Sequence, residues 1–264
     1  PGRGRGRGRG GDAAGIELER VTKRFGELVA VSRLSLVVER GELFAFLGPN
    51  GAGKTTTVKL ISGLLRPSSG VVRVCRYDLA REPLEAKRRL SYIPDQPFLY
   101  GKLTGREFLQ FVGRMHRMNG AGLDRQVDEL LDLFGCSEYA DELTENYSHG
   151  MKQRVVIASA LLTQPEVIVI DEPMVGLDPR SARLVKDVLR QRARGGVTVF
   201  MCTHTLSVAE ELADRIGIVD RGRLIACGAL EELRRQSHRQ GSLEDLYLGL
   251  TEGGDGGQGG GVDD

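Results

Sequence analysis

Tryptophan is absent from these 264 residues and aromatics make up only 5% of them, so broad stacking surfaces for bases or sugars are scarce. No apolar run approaches the ~18 residues of a membrane-spanning helix. The longest, such as "VVIASALL", suit a buried helix or strand. No secretory signal pattern is present either. Cysteine is sparse: Cys75, Cys136, Cys202 and Cys227 stand far apart, without a CxxC pair or nearby metal-ligand histidines. They read as small buried hydrophobes in a reducing compartment, the cytoplasm. Excess charge is lacking too. The formal net charge is +1, and without Arg3, Arg5, Arg7 and Arg9 of "PGRGRGRGRGG" the remainder stands at −3. The folded part is therefore no basic nucleic-acid module, and no specific nucleic-acid binding is expected.

What is present is an ordinary globular composition, 40% apolar and 28% charged, on a chain long enough for one sizeable core and a small subdomain. The Arg-Gly repeat reads as a disordered tail over residues 1–14, with contact to RNA or acidic lipid as the alternative. The Gly-rich end, 251–264, reads as a second disordered tail. Between them, over 15–250, β-like runs alternate with helical patterns, which argues for an α/β fold with a mostly parallel sheet. "IELERV", "LSLVVE" and "ELFAFLG" follow one another without a helix, and so predict an N-terminal antiparallel β layer. A helix is expected over 79–89. Residues from about 97 to 160 carry only helical periodicity and read as an inserted helical subdomain. Strand rhythm then returns with "EVIVIDEP", "GVTVFMCTH", "RIGIVD" and "GRLIACG". Helices are expected between and after these strands, at about 179–194, 205–213, 229–236 and 242–250.

Gly48-Pro49-Asn50-Gly51-Ala52-Gly53-Lys54-Thr55 satisfies G-x-x-x-x-G-K-[ST] between a strand and a helix, with Thr56 following. Its glycines let backbone N–H groups curl around phosphates at a helix N-terminus. Lys54 is placed to reach the β- and γ-phosphates, and the Thr55 hydroxyl to ligate Mg²⁺. In "VIVIDEP" four β-branched residues deliver Asp171 and Glu172 to a strand end, where α/β sheets bind ligands. Asp171 suits a Mg²⁺ shell, and Glu172 can polarise an attacking water as general base. Another buried run ends in His204, whose imidazole could hydrogen-bond a γ-phosphate. In "NYSHGMKQRVVIASALL", Ser148 is a good N-cap, yet His149 and Gly150 fill the first turn. Glycine there weakens a helix by about 1 kcal/mol and exposes bare backbone.

Taken in order, these residues resemble the ATP-binding cassette (ABC) family over about residues 15–250. The resemblance takes in the P-loop, the signature helix Tyr147-Ser148-His149-Gly150-Met151, the strand ending in Asp171 and Glu172, the D-loop Gly176-Leu177-Asp178, and His204. It implies ATP and Mg²⁺ as cofactors, with Glu172, His204 and Lys54 catalytic. It places Phe25 where the family stacks an aromatic on adenine. It also implies a second ATPase subunit: two domains close head to tail on ATP, and Ser148 and Gly150 of one cap the γ-phosphate on the P-loop of the other. Two departures stand out. The usual signature is L-S-G-G-Q, so His149 replaces a glycine and Met151 a glutamine. The Q-loop glutamine, a Mg²⁺ contact and link to a membrane partner, aligns on Asp95, with Gln96 the alternative one place later.

Within the family, "GPNGAGKTT", "LYGKLTGREFL" and "SLEDLYLGL" look like single-domain ATPase subunits of bacterial exporters. The expected role is export through a separate integral-membrane permease, from the cytoplasmic face of the membrane. A soluble ABC protein acting on ribosomes or DNA, or another P-loop enzyme such as a small-molecule kinase, are the rival readings.

Overall fold

The computed structural model describes residues 14–236 and 243–252. Two sheets carry it. The first, ordered β2-β1-β4-β5, joins β1 (Ala14–Phe25), β2 (Leu28–Glu39), β4 (Ser69–Val74) and β5 (Tyr77–Asp78), all antiparallel. Its β1 and β2 are the expected antiparallel layer, but the third expected run, "ELFAFLG", lies in the second sheet, where it pairs in parallel, and Ser69–Val74 and Tyr77–Asp78 complete the layer instead. Its strands alternate, with Leu34, Leu36 and Val38 buried and Ser35 and Val37 between them exposed, so one face packs and the other meets water. The second sheet is ordered β10-β9-β3-β8-β7-β6. In it β3 (Leu43–Leu47), β6 (Leu90–Ile93), β7 (Val167–Asp171), β8 (Thr198–Thr203) and β9 (Arg215–Asp220) run parallel, and β10 (Arg223–Gly228) folds back on β9.

The central strands are buried along their whole length, and their period of two divides the core. Leu43, Ala45 and Leu47 of β3 join one cluster, with Ile168, Ile170, Val199 and Met201. Phe44 and Phe46 join the other, with Val167, Val169, Phe200 and Cys202, against the antiparallel sheet. Phe200 packs between Phe44 and Phe46 at centroid distances of 5.7 and 5.4 Å. Burying a side chain of this size stabilises by about 1.5–3 kcal/mol. Cys75, Cys136 and Cys202 are buried and unpaired, as expected of small hydrophobes, and Cys227 is half-buried.

The first cluster extends into α3 (Gly105–Met115), α4 (Gly120–Leu133) and α5 (His149–Leu162). Helix α3 starts on a capping box: the Thr104 hydroxyl accepts from the Glu107 amide, and the Glu107 carboxylate from the Thr104 amide. Val155 to Leu162 of α5 are all buried, which explains a helix that is apolar all round. The remaining helices are α1 (Lys54–Ile61), α2 (Pro83–Lys87), α6 (Pro179–Arg194), α7 (Leu206–Leu212), α8 (Leu230–Gln236) and α9 (Leu243–Glu252).

One expected helix is much shorter than its pattern. Of 79–89 only Pro83–Lys87 is helical, because Tyr77–Asp78 pair with β4 and the Asp78 carbonyl accepts from the Arg81 and Glu82 amides in a turn. Pro83 lacks an N–H and is tolerated at the first helical position, so the helix begins there. The tail boundaries shift as well. Ala14 pairs with Glu39 in β1, and Thr251 and Glu252 close α9. The expected tails otherwise fall on 1–13 and 253–264, outside the described residues.

Candidate active site

The strand order brings three loops together. β8 lies between β3 and β7, so the carboxyl ends of three neighbouring parallel strands deliver Gly48, Asp171–Glu172 and Thr203–His204 to one edge. At Gly48 a Cβ would overlap the Val219 carbonyl, and at Gly53 (φ +99°) the Ala30 carbonyl, so the loop can pass only as glycine. Gly53 is also the N-cap of α1 and offers no side chain to the first-turn N–H groups. Those donors remain for a phosphate. Lys54 is buried and folds back along the loop, its Nζ donating to the carbonyls of Gly48 (2.6 Å) and Pro49 (3.1 Å). The other loop residues, Asn50, Gly51, Ala52, Thr55 and Thr56, complete this turn into α1.

Asp171 ends β7 with 4% of its surface exposed. Burial first, then the charges of Asp95 and Glu172, push its carboxyl up to about 6, against the pull of Lys54 and a hydrogen bond with the Thr55 side chain. Asp95, exposed after β6, is thus within electrostatic reach of Asp171; Gln96 is exposed and donates its amide to Asp95 Oδ1 at 2.8 Å. Tyr92 of β6 is pushed up to about 12 by burial and by the charges of Asp171 and Asp95. Glu172 sits at φ +47°, a sparsely populated conformation for a residue with a Cβ. Its carboxylate is held on both oxygens. Oε1 accepts from the His204 amide (2.9 Å) and lies 2.7 Å from His204 Nδ1, and Oε2 accepts from the Thr203 hydroxyl (3.0 Å). His204 therefore engages Glu172 through Nδ1, which leaves Nε2 as the ring nitrogen open to a phosphate.

The helix of the YSHGM stretch starts as its pattern predicts. Ser148 is the N-cap of α5, its Oγ accepting from the Met151 amide at 3.3 Å. Asp178 caps α6 through the Arg180 and Ser181 amides, and the Ser181 hydroxyl holds its carboxyl below the usual range. Phe25 is 47% exposed at the end of β1, with Lys23 Nζ 5.0 Å from its ring centre, and belongs to neither core cluster.

Residues 31–175 match the ABC transporter family. A daunorubicin resistance ATP-binding protein of Streptomyces coeruleorubidus is 40% identical over 222 residues, 84% of this chain and 70% of that one. The chain belongs to the ABC transporter family. The linearmycin resistance ATP-binding protein of Bacillus subtilis is 37% identical over 83% of this chain and 70% of its own. Among solved structures, an ATP-binding subunit of an ABC transporter superposes with a TM-score of 0.84 at 34% identity, covering 89% of this chain and 98% of that one. A dimeric ATP-binding cassette in a post-hydrolysis state, bound to ADP and Pi, gives 0.76 at 27% identity, over 81% and 98%. This cassette is accordingly an ATP-binding and ATP-hydrolysing subunit of an ABC transporter.

Magnesium fits the cassette's acidic corner. No group of three or more His, Cys, Asp or Glu among the described residues forms a complete metal cage. Mg²⁺ characteristically takes one or two carboxylates plus phosphate and water. Burial, and then the repulsion of Asp95 and Glu172, penalise the charged form of Asp171, and a divalent cation would offset both. Thr55 and Asp171 would hold it, with Asp95 or Gln96 beside them, and it would neutralise phosphate charge.

Two neighbours escaped the sequence reading. Thr203 fixes the Glu172 carboxylate, and Tyr92 lies within electrostatic reach of Asp171 and Asp95; a threonine just before His204 is the one available signal. The burial of Asp171 also makes the stability of the cassette depend on pH. A carboxyl raised from 3.8 to about 6 binds its proton more tightly in the folded state, so stability falls as pH rises from about 4 to 6 and stays lowered above. Asp171→Asn should stabilise the nucleotide-free cassette at pH 7.5 by on the order of 2–3 kcal/mol, with the gain vanishing near pH 4. Urea unfolding at both pH values checks this, and equal stability at pH 7.5 would refute it.

Proposed function

We propose that this cassette hydrolyses ATP between two copies of itself and thereby drives small-molecule export through a separate membrane permease. The observation that carries the dimer is the Ser148-capped start of α5, where Ser148 is exposed and His149–Met151 are half-buried. Among the described residues, no hydrogen bond links Ser148–Met151 to Gly48–Thr56 of the same chain. Its bare N–H groups and positive dipole end suit the γ-phosphate on a second copy. On the P-loop side, Phe25 is open for adenine to stack on, Lys54 swings from its loop carbonyls to the phosphates, and Glu172 takes the proton of the attacking water. Thr203 and His204 keep that carboxylate aimed.

The permease reading is supported by an aromatic surface after β6. Phe98 and Met115 are each 70% exposed, and Tyr100 and Phe111 are also open. Phe98 and Phe111 pack edge-on against Tyr100 at 5.6 and 5.5 Å. Such a contiguous apolar patch marks an interaction site, and it directly follows Asp95 and Gln96. No helix among the described residues is long and apolar enough to cross a membrane. The resistance ATP-binding proteins related to this chain support export as the direction, and a subunit that consumes ATP would work from the cytoplasmic face of the membrane.

A photo-crosslinking residue at Phe98 should capture a multi-span membrane protein, whereas one at Lys87 should not. Capture of ribosomal protein instead would overturn the transport reading. In the resulting complex, Asp95→Ala should lower stimulated ATPase activity more than Gln96→Ala, because Asp95 is the residue coupled to Asp171. The reverse ranking would assign the loop to Gln96.

A further inference from the structure

Four side-chain atoms at the start of α5 are buried without a hydrogen-bond partner: His149 Nε2, both polar atoms of the Gln153 amide, and Arg154 Nε. His149 and Gln153 stand four residues apart, on one face of the helix, and Gln153 is only 1% exposed. What His149 touches is specific. Its ring lies against Gly176, so closely that a Cβ on Gly176 would overlap the imidazole. Alongside, a Cβ on Gly150 would come 2.9 Å from the Gly176 carbonyl oxygen. The helix start thus meets the 172–178 loop ring-on-backbone and backbone-on-backbone. Gly176, at φ +74°, is the residue on which this loop turns.

Both ends of that loop are pinned. Glu172 is held through its amide, which donates to the Cys202 carbonyl (2.9 Å), and through its carboxylate by Thr203 and His204. Asp178 is held as the N-cap of α6. Between them two turns run on, from the Val175 amide to the Glu172 carbonyl (3.2 Å) and from the Leu177 amide to the Met174 carbonyl (3.3 Å). The His149 ring bears on the middle of this span.

We propose that His149 is a positioning residue for Glu172, a wedge that sets the 172–178 loop and so the aim of its carboxylate. The proposal rests on Glu172 being the general base. The L-S-G-G-Q pattern that this stretch resembles has glycine at this place; here an imidazole stands against Gly176. The signature helix and the catalytic carboxylate of one chain are thereby mechanically joined. A buried ring nitrogen without a partner is destabilising, so the contact is one that a small change on either side releases.

The test is a double-mutant cycle on the full chain, reading kcat, KM for ATP and melting temperature. His149→Gly should lower kcat about tenfold with KM little changed, since a small misplacement of a reacting group is costly, while melting falls by no more than a few degrees from the added glycine. Gly176→Ala should lower kcat further, because its Cβ pushes on the ring as well as straining φ. In the double variant the two losses should not multiply, since the methyl occupies room the ring has vacated. His149→Phe, which keeps a flat ring without nitrogens, should retain most of kcat. If His149→Gly leaves kcat within twofold, if it raises KM instead, or if the two losses multiply, the wedge is wrong. Glu172→Gln is measured in parallel. Retained hydrolysis there would remove the base assignment, whereas the His149–Gly176 coupling is read from the cycle alone.

Discussion

Glu172→Gln should lower ATP hydrolysis by about 10²–10³-fold while leaving ATP affinity near that of the wild type. The structure makes the substitution mild everywhere except at the proton. Its amide oxygen can still accept from the His204 backbone N–H, which Oε1 now does at 2.9 Å. Its NH₂ can donate to Thr203 Oγ, reversing the present 3.0 Å bond in which the hydroxyl donates. The backbone conformation at φ +47° is as accessible to glutamine as to glutamate. What the amide cannot do is accept a proton from water. ATP should therefore bind, close the dimer and remain, so a doubled particle should accumulate on size-exclusion chromatography with ATP. Single-turnover hydrolysis at the wild-type rate would remove Glu172 from its role.

Ser148→Asp should abolish hydrolysis and the ATP-dependent dimer while leaving the subunit as stable as before. Ser148 has two jobs that can be separated. As N-cap of α5 it accepts the Met151 amide, and aspartate caps as well as serine does. A negative charge there also complements the helix dipole by a few tenths of a kcal/mol, so melting should hold or rise slightly. Facing a γ-phosphate, the same carboxylate sets like charges about 4 Å apart in a poorly solvated interface, a repulsion of about 4 kcal/mol at an effective dielectric of 20. That is enough to keep two copies apart. Wild-type hydrolysis by Ser148→Asp would reduce Ser148 to a helix cap and end its action on a second copy.

The parts legible in the sequence are those whose physics is local. The P-loop needs glycine where φ is positive or backbone passes close; Gly53 meets both conditions and Gly48 the second, with only a few residues of context. Val167 to Ile170 read as a buried strand because both faces of it are apolar, and Ser148 as a cap because capping spans three residues. The pattern over 79–89 misled because apolar spacing takes no account of Asp78 pairing into β5 or of Pro83 setting where a helix can begin.

The assembly of the site is of another kind. His204 reaches Glu172 because β8 inserts between β3 and β7, a pairing of strands that are up to about 150 residues apart in the chain. Asp95 bears electrostatically on Asp171 because β6 lies next to β7 in parallel register. His149 meets Gly176 because α5 packs its first turn against a loop hung from β7. No propensity or spacing encodes these meetings. The sequence by itself determined which residues are the candidates for the chemistry, through local backbone and hydrogen-bonding requirements. Only long-range strand pairing and core packing, which depend on burying two faces of one sheet at once, decided which of them touch.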